Sequence, residues 1–209
     1  MPPVRIKICG ITRLEDAQAA AGLGADAIGF IFYEKSPRYI APREAALISV
    51  AMPPLLARVG VFVDAPAATI QSAIQQCGLT AVQLHGIETP EFCRQFTVPV
   101  VKAFRIQDAS SLALLSHYPT EAWLLDSYVP GQSGGTGTCF HWELAQQART
   151  LGRPIFLAGG LTSENAAQAV CQVNPYALDV SSGVESAPGI KDHDKINAFI
   201  QAAHHACLT

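Results

Sequence analysis

Two residues of this sequence stand where proton transfer is easiest to arrange. Cys9 closes the apolar run Val4-Arg5-Ile6-Lys7-Ile8-Cys9, and Asp126 closes Trp123-Leu124-Leu125-Asp126. A thiol with its ordinary pKa near about 8.5 is mostly protonated at neutral pH, so Cys9 becomes a base only beside a positive group or well-placed donors. Lys7 is the candidate neighbour, because residues two apart share a strand face. The plainer reading of Cys9 is a small buried hydrophobe. A carboxyl at an apolar strand end suits a proton donor if its pKa is raised; otherwise Asp126 is a turn or helix cap. Asp179 lies inside a further apolar run, where an acid is costly unless paired. It either serves a site or holds Lys7 or another cation.

Other residues have the chemistry to bind an anion. Arg38, in Ser36-Pro37-Arg38-Tyr39, carries a planar fork that matches a carboxylate, although a loop arginine is ordinarily a solvated charge. His85 reads equally as ligand, donor or packed ring. Ala158-Gly159-Gly160-Leu161 and Asp179-Val180-Ser181-Ser182-Gly183-Val184-Glu185 each end a run in small residues. Glycines let backbone N–H groups approach an anion, and a helix start presents unpaired donors. The alternative is two tight turns. The segment 127–138, with Gly135 and Gly137, is glycine-rich but lacks the lysine of a P-loop. It reads as a lid with backbone donors or as a surface loop.

Eight short elements must position these groups. The runs are 4–9, 27–32, 56–63, 81–85, 100–104, 123–126, 155–158 and 177–180. Each ends in a polar or glycine-rich turn, followed by a helix-like segment. Short apolar runs without clean alternation suit a parallel sheet covered by helices. Helix signals separate them. Thr12 with Glu15 reads as a capping box before Leu14, Ala17 and Ala21 on one face. Asp64 with Pro66, Thr89 with Pro90 and Glu91, and Thr162 read as further starts. Ile196, Phe199, Ile200 and Ala203 fall on one face of a last helix. The fold class is α/β: eight βα units favour a closed (β/α)8 TIM barrel over an open doubly wound sheet, which usually stops at about five or six strands. With no linker composition, residues 1–209 read as one domain. In such a barrel the chemistry lies where strands end, which is where the residues above fall.

Composition narrows the partners. Hydrophobic residues make up 49% of the 209 and charged ones 15%, which argues against disorder. A net charge of −3 and a pI near 6.0 disfavour a nucleic-acid binder. No run reaches the roughly 18–20 apolar residues of a membrane span, and the N-terminus does not read as a signal peptide. The six cysteines show no C-x-x-C or zinc spacing, so metal is not expected and free thiols in the cytoplasm are. Cys77, Cys93, Cys139, Cys171 and Cys207 read as structural. His117, His141, His193, His204 and His205 read as surface positions.

A set of motifs in order along the chain resembles the phosphoribosylanthranilate isomerase family. They are Lys7-Ile8-Cys9-Gly10-Ile11-Thr12, Gly29-Phe30-Ile31-Phe32, Ser36-Pro37-Arg38, Gln83-Leu84-His85-Gly86, Gly134-Gly135-Thr136-Gly137, Leu157-Ala158-Gly159-Gly160-Leu161, 179–185 and Pro188-Gly189-Ile190-Lys191-Asp192. The resemblance implies a TIM-barrel isomerase of tryptophan biosynthesis. Its reaction is an Amadori rearrangement, from N-(5-phosphoribosyl)anthranilate to 1-(2-carboxyphenylamino)-1-deoxyribulose 5-phosphate. It further implies Cys9 as general base, Asp126 as general acid, Arg38 on the anthranilate carboxylate, and the glycine-rich loops with Ser181, Ser182 and Gly183 on phosphate. Two groups of different proton affinity suffice, so no cofactor is expected. Monomer and homodimer both stay open. The competing readings are another phosphosugar barrel enzyme, such as a relative of indole-glycerol-phosphate synthase, and a phosphate-ligand binder without turnover. The first would favour a lysine acid, a strand-end glutamate and a longer N-terminus.

Overall fold

The computed structural model describes residues 4–106, 108–126 and 139–206. Eight parallel strands close into a barrel in chain order: β1 (Arg5–Cys9), β2 (Ala27–Ile31), β3 (Ala57–Phe62), β4 (Ala81–Leu84), β5 (Val100–Arg105), β6 (Ala122–Asp126), β7 (Ile155–Ala158) and β8 (Ala177–Val180). All eight expected runs are strands. β8 pairs back onto β1 with Lys7 opposite Asp179, so closure itself brings these two charges together. Around the barrel lie α1 (Leu14–Gly22), α2 (Pro42–Val50), α3 (Ala67–Cys77), α4 (Pro90–Cys93), α5 (Cys139–Arg149), α6 (Ser163–Val173) and α7 (His193–His204). None of the described helices is long and apolar enough to cross a membrane.

The helical layer is less regular than eight equal units would suggest. α4 is a single turn, and Ala109–His117, between β5 and β6, is 3-10 helix. That stretch is rich in serine. Ser110 and Ser111 bond to Asp108, and Ser116 bonds to the Ala113 carbonyl. Such local bonds compete with the α-helical ladder.

Two expected helix starts are corrected. Thr12 and Glu15 form no capping box. Arg13 occupies the N-cap, and the Thr12 hydroxyl donates to the Gly189 carbonyl at 2.5 Å. Leu14 is exposed, and α1 buries Asp16, Ala17 and Ala20 instead. Asp64 does not cap α3, whose N-cap is Pro66; its Oδ1 accepts from the Ile87 amide at 2.7 Å. Both residues tie loops from different units together, which local spacing cannot reveal. Thr89 and Thr162 do hold N-caps, and the Asn165 side chain accepts from the Thr162 amide. α7 buries Ile196, Phe199, Ile200 and Ala203 as its periodicity requires.

Cys9, Cys77 and Cys93 are free and buried, but Cys171 on α6 is disulfide-bonded, against the expectation of free thiols throughout. Tertiary proximity sets such a bond, and sequence spacing does not show it. His193 is exposed, as its reading as a surface position requires, and its Nε2 lies 2.9 Å from the buried Asp16 carboxylate.

The core has two parts. A large apolar layer, including Ile6, Ile8, Ile28, Phe30, Phe62 and Trp123, fills the space between strands and helices. A smaller cluster of Val101, Ala103, Ala122, Leu124 and Ala158 lies on β5, β6 and β7. On the other strands, Lys7, Asp179 and Gln83 are buried polar groups. Buried charge of this kind requires partners.

Candidate active site

The partners are found at the C-terminal ends of the strands. A pocket of about 310 Å³ opens there. Cys9, Arg38, His85, Asp126 and Asp179 all line it, as do Gly159, Gly160, Ser181 and Ser182. Eight strands with period-2 alternation explain the convergence, since the last inward residue of each strand faces one mouth. Gly135 and Gly137 lie outside the described residues. Among those described, no cluster of His, Cys, Asp and Glu side chains has the geometry to hold a metal ion.

The Cys9 side is dry. Lys7 Nζ donates to Asp179 Oδ1 at 2.8 Å, with both side chains buried. A Cβ placed on Gly29 of β2 would lie 2.8 Å from Cys9 Sγ and 3.1 Å from Lys7 Nζ. The bare glycine therefore makes room for thiol and ammonium side by side. Burial pushes the Cys9 thiol up, and the Lys7 ammonium, which pulls the other way, does not outweigh it. Burial also works against the Lys7 ammonium, but Asp179 and Cys9 overcome it and raise its pKa. Both groups hold their protons more tightly than usual.

The Asp126 side is wetter. His85 and Asp126 keep 24% and 20% of their side chains exposed, with His85 Nε2 3.5 Å from Asp126 Oδ2. Behind them, Gln83 Nε2 lies 2.9 Å from His85 Nδ1. The backbone around His85 is fixed by Lys102, whose ammonium donates to the carbonyls of Leu84 at 3.2 Å and Gly86 at 2.7 Å.

Arg38 reaches the site from the loop after β2, but half of its fork is already engaged. Its Nε and Nη2 donate to Glu185 at 2.8 and 2.7 Å. A guanidinium has five N–H donors, so three remain for a ligand. Glu185 also accepts from Lys191 Nζ at 2.9 Å. Burial works against the ionised carboxyl, yet Arg38 and Lys191 hold it below its ordinary range. Glu185 begins a short ribbon of β9 (Glu185–Ala187) and β10 (Ile190–Lys191).

The loops after β7 and β8 fit together closely. Gly159 and Gly160 have φ of +88° and +63°, conformations that favour glycine. A Cβ on Gly183 would collide with the Leu161 carbonyl, so only glycine lets the two loops meet. Gly183 thus supports the pocket without lining it. The short helix expected after β8 is one 3-10 turn, Ser182–Val184.

Sequence reasoning missed Gln83, Glu185 and Lys191. All three stand inside motifs of the family resemblance. Their signal was a buried-period glutamine two residues before His85, and a glutamate and lysine flanking one glycine turn.

Comparison with known proteins agrees with this site. The family profile described as N-(5'-phosphoribosyl)anthranilate (PRA) isomerase matches residues 6–202. A relative from Geobacter metallireducens, named N-(5'-phosphoribosyl)anthranilate isomerase, is 52% identical over 96% of this chain and 98% of its own. The crystal structure of phosphoribosyl anthranilate isomerase from Thermotoga maritima superposes with a TM-score of 0.91, at 46% identity over 96% of this chain and 98% of that one. A second crystal structure, of a phosphoribosyl anthranilate isomerase in complex with reduced 1-(o-carboxyphenylamino)-1-deoxyribulose 5-phosphate, has a TM-score of 0.87 and 44% identity over 96% of this chain and 98% of that one. With the barrel, the strand-end residues and these likenesses in agreement, the chain belongs to the N-(5'-phosphoribosyl)anthranilate isomerase family.

Proposed function

We propose that this chain, acting as one barrel domain over residues 1–209, rearranges N-(5-phosphoribosyl)anthranilate to 1-(2-carboxyphenylamino)-1-deoxyribulose 5-phosphate, with Asp126 as general acid and Cys9 as general base. The observation that carries the reading is the single pocket lined by Cys9, Asp126, Gly159, Gly160, Ser181 and Ser182. Asp126 gives its proton to the ribose ring oxygen, and the ring opens to a cationic Schiff base. Cys9, its own thiol proton released to solvent as that cation forms, removes the proton on C2. The thiol now at Cys9 gives a proton to C1 of the enolamine, the C2 hydroxyl gives its own to the Asp126 carboxylate, and the ketone forms with no net gain or loss of protons. Burial disfavours a free thiolate at Cys9. The Schiff base places a second positive charge near Lys7, which favours the thiolate at the step that needs it. The unused donors of Arg38 suit the anthranilate carboxylate, and the paired glycine loops suit the phosphate.

The test uses substrate generated freshly from anthranilate, with loss of anthranilate fluorescence as the signal. Turnover by the wild-type chain that disappears in folded Cys9→Ala and Asp126→Asn proteins supports the reading. Ligand-induced stabilisation without turnover would replace it with a binding role.

A further inference from the structure

We propose that Gln83 is a positioning residue: its amide fixes the His85 ring in the tautomer whose Nε2–H points at Asp126. The inference rests on the reading of Asp126 as the acid. Gln83 is 1% exposed, on β4, opposite Val61 of β3. Its Nε2 lies 2.9 Å from His85 Nδ1, and an amide nitrogen only donates. Nδ1 must then accept. In a neutral imidazole the proton sits on Nε2, which faces Asp126 Oδ2 at 3.5 Å. The reversed amide would put the proton on Nδ1 and leave Nε2 unable to donate to the carboxylate that Asp126 becomes once its proton has gone to the substrate; the proposed orientation gives that carboxylate a donor.

Two further observations support a role beyond packing. Gln83 Oε1 is buried with no hydrogen-bond partner among the described residues. An apolar side chain of that shape would avoid this penalty, so the bond to His85 is what the amide contributes. Meanwhile the backbone on both sides of His85 is already clamped. Lys102 holds the carbonyls of Leu84 and Gly86, and the His85 amide donates to the Phe62 carbonyl at 2.8 Å. What remains undetermined is the ring's rotation and its tautomer, and these are what Gln83 sets.

The test is a long-range 15N–1H spectrum of histidine-labelled full-length protein, with His85 identified by its loss in His85→Asn. The wild-type ring is expected to show a protonated Nε2 and a bare Nδ1. Gln83→Met keeps the volume and removes the donor, and should give a mixture of tautomers. Its kcat should fall about tenfold with KM little changed, the size of one ordinary hydrogen bond. Its melting temperature should not fall. Gln83→Glu can only accept at Nδ1 and should move the proton there, with a larger loss of kcat. A wild-type spectrum with Nδ1 protonated overturns the proposal even if the variants do not fold. A Gln83→Met spectrum or kcat equal to wild type also overturns it. A wild-type chain without turnover would sink the function while leaving the tautomer to be judged by its own spectrum.

Discussion

The two sides of the barrel mouth hold their ionisable groups by opposite means. On the β1–β8 side, Cys9 is buried beside a buried ion pair of Lys7 and Asp179. On the β4–β6 side, Asp126 meets a partly exposed His85, itself held by a neutral amide. The first environment penalises a lone anion and answers it with a fixed ammonium. The second leaves Asp126, the proposed acid, partly open to solvent and meets it with a hydrogen-bonding ring rather than a fixed charge. A base that must ionise only when a cation arrives suits the dry side. An acid that must be reprotonated each turnover suits the wet one. The contrast teaches that one barrel mouth can seat a thiol beside a buried ion pair and a carboxyl beside a half-open ring, according to the polarity of the strands behind each group.

The sharpest way to break this contrast is to remove each group in turn. Cys9→Ala and Asp126→Asn should each lower kcat by about a thousandfold, within the usual span for a positioned acid or base. Because both serve one turnover, the double variant should be little worse than the poorer single variant. Additive losses would mean that the two act in separate processes.

The environments can also be attacked directly. Lys7→Met leaves Asp179 buried without its cation. Urea unfolding should show a loss of about 3–5 kcal/mol. His85→Asn, at a half-open site, should lose about 1 kcal/mol or less. Lys7 also lowers the Cys9 pKa, so its removal raises that pKa further. Any activity left in Lys7→Met should therefore need higher pH than wild type. Equal stability losses on the two sides would erase the distinction.

How much of this was legible in sequence follows the same division. The strands showed because each is a short apolar run, and β7 and β8 match their runs residue for residue. Lys7 and Asp179 were visible as costly buried charges, and their pairing follows from closure of the barrel. Glu185 was not, because nothing local says that its carboxylate joins Arg38, 147 residues earlier. Thr12 and Asp64 misled for the same reason: a polar residue before a helix looks like a cap until a distant loop claims its side chain. The stretch between β5 and β6 offered no helix start of its own, and its serines bond locally, so it folds as 3-10 helix.

Arg38 reaches the same mouth from the loop after β2, and a milder change tests it. Arg38→Lys keeps the charge but cannot hold Glu185 with two bonds and still offer a fork to a ligand. KM should rise about tenfold with kcat largely spared, because a carboxylate held alike throughout the reaction contributes uniform binding. A fall in kcat with unchanged KM would instead mean that Arg38 acts on the reacting carbons.

The smallest effect lies away from the mouth and extends the rule of the dry side to the helical layer. Burial pushes the Cys93 thiol on α4 up to about 11, from an ordinary value of 9.0. The folded protein thus binds this proton more tightly than the unfolded chain does. Its contribution to stability is complete below the unfolded value and is lost as pH rises toward about 11, because the unfolded thiol ionises first. Burial raises Cys77 and Cys9 as well, with the same sign. The urea midpoint should therefore fall between about pH 8 and about pH 10.5, and Cys93→Ala should make that fall shallower. Packing lost with the sulfur lowers the variant's midpoint at both pH values and leaves the difference between them to report the thiol. An unchanged slope would show that Cys93 is solvated at high pH, and that the dryness inferred for the barrel mouth does not reach the helices around it.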